Sequence, residues 1–430
     1  MKAQASLRSM SCRLVTHWRA LFMLLVLFGA PVALRARTPA PHGMEYRGGR
    51  WFDGTRFVPR TMYVVEGTFR QRRPARIDSV VKLAGGYVVP PFSDAHQHLY
   101  APIEPQIRAY LRDGIFYVRD QANAPLGRQA FHRLLNRPTA FDYVSANQGW
   151  TSPGGHPVEV VMRAAVPGNP MGAYIREHMD PDFVMQVDTP ADVARRWPGF
   201  LAGNPRPDLV KIFLLYSEDY AQRRNDPRFE GNRGLDPALV PVIVRLAHQA
   251  GLKVSAHVFT AADFRNAVAG GVDWIAHLPG GRGAGPAPFL LTEADARLAR
   301  RHHVTVVTTI TQHGDSALTD QLVRTQYAHN IRLLRRFGVP LLLGSDRFGD
   351  TAATEAAALA RSGLFTNLEL LRMWSVTTPR AIFPDRRIGV LRDGYEASFL
   401  VLGGDPLADF ANTRRIVRRV KQGVPLEPGS

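Results

Sequence analysis

The sequence predicts an α/β fold in which parallel strands form a TIM-like (β/α)8 barrel. Between residues 90 and 382, short apolar runs typical of strands alternate with segments whose apolar residues have helical spacing. This alternation is typical of a parallel sheet, and the number of units favours a barrel. The chain of 430 residues can hold a barrel of about 250 residues and a smaller domain.

Residues 1–36 differ from the rest of the chain and predict a secretory signal peptide. Four basic residues precede an apolar run from Ala20 to Leu34, and the stretch contains no acidic residue. A membrane span needs about 20 apolar residues, so export to the periplasm or the exterior is favoured over an uncleaved membrane anchor. Cys12, the only cysteine, precedes the apolar run, and the mature protein would therefore contain no disulfide.

The net charge of +17 does not predict a nucleic-acid partner. Residues 1–36 hold five of the 54 basic residues and none of the 37 acidic ones, so the remainder keeps an excess of 12 basic residues. These are spread in pairs such as Arg195-Arg196 and Arg418-Arg419, without interleaved aromatic residues. A solvated surface is favoured, and adhesion to an anionic membrane or cell wall remains an alternative.

Short strands are predicted at both ends of the mature chain. From Met44 to Ala84 strand-like runs are separated by turn residues, and Thr61 to Val65 is the clearest of these strands. Two more strands are predicted at Ala397 to Leu402 and Arg415 to Val420.

Two helices are clear in the middle of the chain. Pro237 to Ala250 and Ala261 to Ala269 carry apolar residues at helical spacing, and each precedes a strand-like run that ends in a histidine. The charged stretch from Ser217 to Gly234 is broken by Pro227 and Gly231 and predicts a long loop. Loops at this face of a barrel shape substrate access.

The segment Val88 to Leu99 ends a strand-like run with His96 and His98. Residues i and i+2 of a strand point to the same side, so both imidazoles can reach one metal ion. Four more residues of ligand type stand at or near the ends of other apolar runs, namely Lys211, His257, His277 and Asp346. Such residues at the carboxyl ends of several strands are what an active site on a barrel requires.

At these residues the chain resembles the amidohydrolase superfamily, specifically its binuclear branch of prolidase-like and imidazolonepropionase-like hydrolases. The motifs that carry the resemblance are Pro90 to His98, read Pro-Pro-Phe-Ser-Asp-Ala-His-Gln-His, the pair Arg119-Asp120, the turn Gly154-Gly155-His156, the pair Ser345-Asp346 and the segment Thr378-Pro379-Arg380-Ala381. Pro91 stands where the family usually has glycine.

The resemblance implies a barrel at residues 90–382. It also implies a small discontinuous β-sandwich domain, formed by residues 44–89 and 383–425. Two divalent metal ions, zinc by default, would be held by His96, His98, Lys211, His257, His277 and Asp346. Lys211 would bridge them as a carbamate formed with carbon dioxide.

A lysine needs this modification to serve as a ligand, because its ammonium group only donates hydrogen bonds. Burial beside positive charge lowers the pKa of a lysine and exposes the amine that attacks carbon dioxide. The alternative for Lys211 is a snorkelling or ion-paired side chain. Asp346 has an alternative as a helix cap.

The predicted reaction is hydrolysis of an amide C–N bond in a small substrate such as a dipeptide or an N-acyl amino acid. The metals would lower the pKa of a bridging water from about 15.7 toward about 7, which gives hydroxide at neutral pH. Asp346 would take the proton that this water loses and return it to the leaving nitrogen. His156, Tyr216 and Tyr220 are the candidate substrate-binding residues, with loop packing as the alternative for the tyrosines.

Two other functions fit the same motifs. One is a mononuclear cyclic-amide hydrolase or deaminase, in which Lys211 stays unmodified. The other is a binding protein that kept the fold and lost turnover, against which the presence of all six expected ligands argues.

Overall fold

A computed structural model describes residues 43–166, 168–169, 171–281, 287–312 and 321–426. The signal peptide predicted at residues 1–36 lies outside these segments and therefore stays a prediction. No helix within the described segments is long and apolar enough to cross a membrane. The described residues belong to one compact unit.

The strands and helices follow in chain order. The strands are β1 Gly43–Phe52, β2 Phe57–Val65, β3 Thr68–Arg70, β4 Ser79–Lys82, β5 Tyr87–Val89, β6 Phe92–Gln97, β7 Ile115–Asp120, β8 Asp142–Ser145, β9 Gly149–Thr151, β10 Val184–Gln186, β11 Leu209–Phe213, β12 Lys253–His257, β13 Trp274–Ile275, β14 Thr305–Val307, β15 Leu341–Leu342, β16 Phe399–Leu402, β17 Ile416–Lys421 and β18 Val424–Leu426. The α-helices are α1 Glu104–Arg112, α2 Arg128–Leu134, α3 Val158–Met162, α4 Gly172–His178, α5 Pro190–Leu201, α6 Tyr220–Arg223, α7 Val240–Gln249, α8 Ala261–Ala269, α9 Glu293–Arg301, α10 Gln321–Arg336, α11 Ala352–Arg361, α12 Asn367–Arg372 and α13 Thr378–Ile382.

One sheet is built from both ends of the described chain. Its eight strands run in the order β18-β17-β16-β5-β1-β2-β3, with β4 paired to β1. Strand β5 joins the two ends, because it pairs parallel with β1 and antiparallel with β16. The strand predicted at Thr61 to Val65 lies within β2. A separate β-sandwich domain with the predicted boundaries stays a prediction.

Aromatic side chains from both ends share the core of this sheet. Trp51 of β1 meets Phe69 of β3 edge-on, with ring centroids 5.9 Å apart, and Tyr46 meets Phe399 of β16 at 4.9 Å. All four side chains are fully buried. Large aromatic groups dominate the energetics of a core, so these contacts hold the two chain ends together.

The remaining strands form two parallel sheets. One contains β6-β7-β8, and the other runs in the order β10-β9-β11-β12-β13-β14-β15. Helices α7 and α8 lie between β11, β12 and β13 along the chain, close to the predicted positions. This arrangement fits the predicted TIM-like barrel.

The pairing of the parallel strands is not continuous around the barrel, which corrects the expectation of eight regularly paired strands. The chain leaves β8 at Ser145 and starts β9 at Gly149, with Asn147 between them at a φ of 60°. This irregular stretch separates the two sheets on one side. On the other side, the Ala95 amide donates to the Leu343 carbonyl at 2.9 Å without forming a ladder.

A partly buried group of charges connects the sheet from the chain ends to the parallel strands. Lys421 of β17 donates to Asp142 of β8 at 2.6 Å, and Arg386 donates to the other oxygen of Asp142 at 2.8 Å. Arg386 also pairs with Glu396, which accepts a hydrogen bond from the Tyr117 hydroxyl at 3.0 Å. Because each of these carboxylates has several donors, the buried charges compensate one another.

Candidate metal centre

His96 and His98 converge at the carboxyl end of β6, as their spacing predicts. The Nε2 atoms of the two imidazoles are 3.4 Å apart. Oδ1 of Asp346, which follows β15, lies 3.3 Å from His96 Nε2 and 3.1 Å from His98 Nε2. Strands from opposite ends of the barrel region therefore bring three ligand-type atoms to one point.

His277, two residues after β13, extends this cluster. Its Nδ1 lies 3.5 Å from Oδ2 of Asp346, and its ring centroid is 4.4 Å from that of His96. One ligand atom from each of His96, His277 and Asp346 lies within 4.8 Å of the others, a spacing that suits a metal ion.

Backbone carbonyls fix the orientation of two of the histidines. Nδ1 of His96 lies 2.9 Å from the Ala276 carbonyl oxygen, and Nδ1 of His98 lies 2.7 Å from the Ala122 carbonyl oxygen. A carbonyl oxygen only accepts, so each Nδ1 carries a hydrogen and the neutral ring keeps a lone pair on Nε2. Metal-binding histidines are oriented in this way.

Lys211 and His257 place two unpartnered nitrogen atoms in the interior. Lys211, on β11, is fully buried, and its Nζ has no hydrogen-bond partner among the described residues. Its pKa is lowered to about 7, chiefly by burial; the charge of Asp346 opposes this shift and the positive charge of Arg119 adds to it. The Nε2 atom of His257 is also buried and unpartnered within the described chain.

Ring contacts connect His257 to the rest of the cluster. Its ring centroid is 4.5 Å from that of His277 and 4.7 Å from that of His156. Direct contacts therefore link five of the predicted ligands, namely His96, His98, His257, His277 and Asp346. Lys211 interacts with Asp346 through its charge, and its place in the ligand set stays a prediction.

Burial and mutual contacts set the charge of the cluster. Burial lowers the pKa of His96 to about 4 and places the pKa of His277 well below its usual value. Burial acts in the same direction on His98, but its contacts with Asp346 outweigh burial and raise its pKa. Burial alone would raise the pKa of Asp346, yet the neighbouring histidines hold it well below its usual range. The cluster therefore presents an ionised carboxylate beside the neutral imidazoles of His96 and His277.

Asp94 and Gln97, which lie on β6, fix the turn that carries Asp346. Asp94 accepts hydrogen bonds from the backbone amides of His96 and Ser345, both at 3.1 Å, and from the Ser345 hydroxyl at 2.9 Å. Gln97 donates to the Arg347 and Asp350 carbonyls. The sequence motif contains Asp94, but its role as a support for Asp346 was not predicted.

Glu355 supports His277 from helix α11, a role that the sequence motifs do not predict. It accepts hydrogen bonds from the amides of Ile310 and Thr311 and from the hydroxyls of Thr308 and Thr311. This turn places Oγ1 of Thr309 3.2 Å from His277 Nδ1. An acidic residue among the alanines of α11 was the available signal.

The three candidate substrate-binding residues differ in their surroundings. His156 lies beside His257, and its Nδ1 contacts Oε1 of Glu159 at 2.8 Å. Tyr216 is stacked under the Arg223 guanidinium, which lies 3.7 Å from the ring centroid. Tyr220 is buried with its hydroxyl 3.4 Å from Asp188. Contact with the ligand cluster is therefore observed for His156.

Comparison with known proteins agrees with this geometry. Residues 229–425 match the sequence model of the amidohydrolase family. This match covers a little under half of the chain and supports the amidohydrolase superfamily that the motifs predict, a class of hydrolytic enzymes that act on carbon–nitrogen bonds. The matched part includes His257, His277 and Asp346. No match was found among curated proteins.

Solved structures share the fold over nearly the whole described chain. An amidohydrolase has 21% identity and a TM-score of 0.68 over 89% of this chain and 98% of its own. A prolidase in complex with N-methylphosphonate-L-proline has 20% identity and a TM-score of 0.67 over 90% and 99%. A Xaa-Pro dipeptidase has 18% identity and a TM-score of 0.66 over 90% and 100%. These likenesses show a shared fold, and two of the three proteins are described as a prolidase or a dipeptidase.

Proposed function

We propose that this chain binds two divalent metal ions, by default zinc, and hydrolyses an amide bond in a small substrate such as a dipeptide or an N-acyl amino acid. The proposed ligands are the predicted set: His96, His98, Lys211, His257, His277 and Asp346. The observation that carries the proposal is the convergence of Nε2 of His96, Nε2 of His98 and Oδ1 of Asp346 within 3.4 Å of one another.

These three atoms repel one another unless a positive charge lies among them. Nδ1 of each ring contacts a carbonyl, so Nε2 of each neutral ring presents a lone pair, and the carboxylate oxygen presents another. A single proton on His98 would leave the buried His96 lone pair facing the carboxylate at 3.3 Å. A cation can bind all three lone pairs at once. Imidazole and carboxylate together are a set of ligands that suits zinc.

The second ion is proposed from Lys211 and His257. Both have buried nitrogen atoms without a partner in the described part of the chain, and unpartnered buried polar atoms are costly. With a pKa of about 7, Lys211 is substantially neutral near neutral pH. Its neutral amine would attack carbon dioxide, so that an N–C bond forms, the electron pair of one C–O π bond moves to oxygen, and the nitrogen loses one proton to water. The carbamate then offers two oxygen atoms as acceptors.

The residues of the chain supply the remaining parts of the reaction. Divalent ions bound here would polarise the scissile carbonyl and lower the pKa of the attacking water. The Asp346 carboxylate takes a proton from that water and returns it to the leaving nitrogen, because it is ionised and adjacent to the proposed ions. His156 is proposed to contact the substrate, because it borders His257 and its orientation is held by Glu159.

The test measures the metal content of the purified protein together with its intact mass under non-acidic conditions. We expect about two metals per chain and the added mass of one carbon dioxide. Lys211→Met should lose the added mass and about one metal, whereas Lys253→Met, a change to an exposed lysine, should lose neither. One metal with an unmodified Lys211 would favour the mononuclear hydrolase or deaminase. No metal after growth with zinc and bicarbonate would contradict the proposal.

Export is proposed as well, from the basic and apolar character of residues 1–36. The amino-terminal sequence of the protein recovered from the periplasm or medium tests this proposal. A start at residue 34 or 37 is expected, after cleavage at Ala33 or Ala36, and an intact Met1 in the cell membrane would instead indicate an anchor.

A further inference from the structure

Phe348 presents an open aromatic face beside the proposed metal centre. It follows Asp346 by two residues and is 66% exposed, the largest value among the large apolar side chains described. Isolated exposed apolar residues are common on protein surfaces and need no explanation. Phe348 differs because its position relative to the cluster is fixed from two sides.

One side is the contact with His98. The Phe348 ring stacks on the His98 imidazole with centroids 5.5 Å apart and an angle of 14° between the planes. Tyr100 flanks the same ring at 6.3 Å. One face of Phe348 is thus covered by a proposed metal ligand, His98, whose Nε2 lies 3.1 Å from Asp346.

The other side is the backbone. Nε2 of Gln97 donates to the Arg347 carbonyl at 3.2 Å and to the Asp350 carbonyl at 3.0 Å, so the turn is held before and after Phe348. Gly349 has a φ of 77°, a conformation that glycine adopts without a steric penalty. A held aromatic ring loses little further conformational freedom when a ligand covers it.

We propose that Phe348 determines specificity by stacking on a flat aromatic group of the substrate that is attached next to the scissile bond. The proposal rests on the proposed function, because the same metal centre positions the bond that is cleaved. Offset or edge-to-face contacts between aromatic rings favour such a substrate over one with a methyl group at that position.

Hydroxamates test the proposal by binding alone, because they chelate divalent ions and are compared at equilibrium. The probes are acetohydroxamate, benzohydroxamate with a phenyl group on the carbonyl carbon, and N-phenylacetohydroxamate with a phenyl group on nitrogen. Calorimetric titration of the zinc-loaded full chain gives their dissociation constants. At least one phenyl compound should bind more tightly than acetohydroxamate.

Phe348→Ala should raise the dissociation constant of the favoured phenyl compound by about three- to tenfold. It should change the dissociation constant of acetohydroxamate by no more than about twofold. Phe348→Tyr should retain the preference. Val417→Ala, a change to a residue of β17 that is 63% exposed, is the matched control and should change no affinity.

Each other outcome is decisive. An unchanged phenyl preference in Phe348→Ala overturns the inference and leaves the metal centre intact. If Phe348→Ala weakens the binding of all three compounds equally, Phe348 acts by holding His98, and this result also overturns the role in specificity. If wild-type protein binds zinc but no hydroxamate, or binds neither phenyl compound more tightly than acetohydroxamate, the inference fails, whereas the proposed function fails only if the protein binds no metal.

Discussion

His96 and His98 each contact a backbone carbonyl through Nδ1 and face Asp346 through Nε2. The tautomer of each ring is therefore set by the backbone before any ligand arrives. Asp346 itself has a φ of 51°, a left-handed conformation that aspartate tolerates better than most residues. The hydrogen bonds from β6 to the following turn keep the carboxylate at this position.

Asp346→Asn preserves the shape of the side chain and removes its negative charge. We expect kcat on the best substrate from a dipeptide screen to fall by about 10²- to 10⁴-fold, because the amide group cannot accept the proton. Zinc affinity should fall as well. Kinetics with parallel metal analysis measure both effects. Asp385→Asn, at an exposed position, should change neither, and full activity of the Asp346 variant would contradict the proton-carrier role.

Asp263 joins two elements that position the centre. It completes a capping box with Thr260 at the start of α8. It also accepts hydrogen bonds from the amides of Tyr216 and Ser217, at 3.1 and 2.8 Å. The loops that follow the strands of Lys211 and His257 are thus held by one buried carboxylate.

The capping box of α5 provides a matched comparison for this arrangement. Thr189 and Asp192 form the same motif at an exposed helix start, and Asp192 contacts residues near its own helix. Asp192→Ala should lower the unfolding free energy only slightly, because it removes local contacts of a solvent-exposed carboxylate. Asp263→Ala should cost at least about 2 kcal/mol, because the half-buried amides of Tyr216 and Ser217 also lose their acceptor. Urea unfolding measures both values, and equal losses would show that the contacts between the loops contribute nothing.

At the scale of the whole molecule, charged side chains connect the eight-stranded sheet, which both chain ends form, to the parallel strands. Asp142 of β8 is shared by Lys421 of β17 and by Arg386, which also pairs with Glu396. Lys421 is fully buried, and burial lowers its pKa. Removing one partner of such a group leaves the other charge poorly compensated.

Lys421→Met should therefore lower the unfolding free energy by about 3 kcal/mol, measured by reversible denaturation of the mature chain. Arg418→Met changes an exposed residue of the same strand and should alter stability by less than about 0.5 kcal/mol. If the two variants were equally stable, the buried charges would not couple the sheets energetically.

Much of the site was predictable because its ligands are marked by local patterns. The two-residue period of a strand predicts the convergence of His96 and His98, and Lys211 is conspicuous between apolar neighbours. Asp263 and Glu355 support the site through contacts with residues distant in sequence, and no local pattern reveals such contacts. The irregular stretch at Asn147 was also missed, because nothing in the surrounding residues distinguishes a left-handed conformation. Phe348 resembles a core residue in sequence, and its exposure depends on the turn that carries it.

The pairing of β5 with both β1 and β16 makes the order of synthesis important. A ribosome releases residues 87–89 long before residues 399–402, so β5 has an unpaired edge while more than half of the chain is still to be made. Exposed strand edges invite pairing with other chains. The growing polypeptide must therefore be kept from its neighbours until its last strands emerge, and a chain that stops before β16 would leave this edge open permanently.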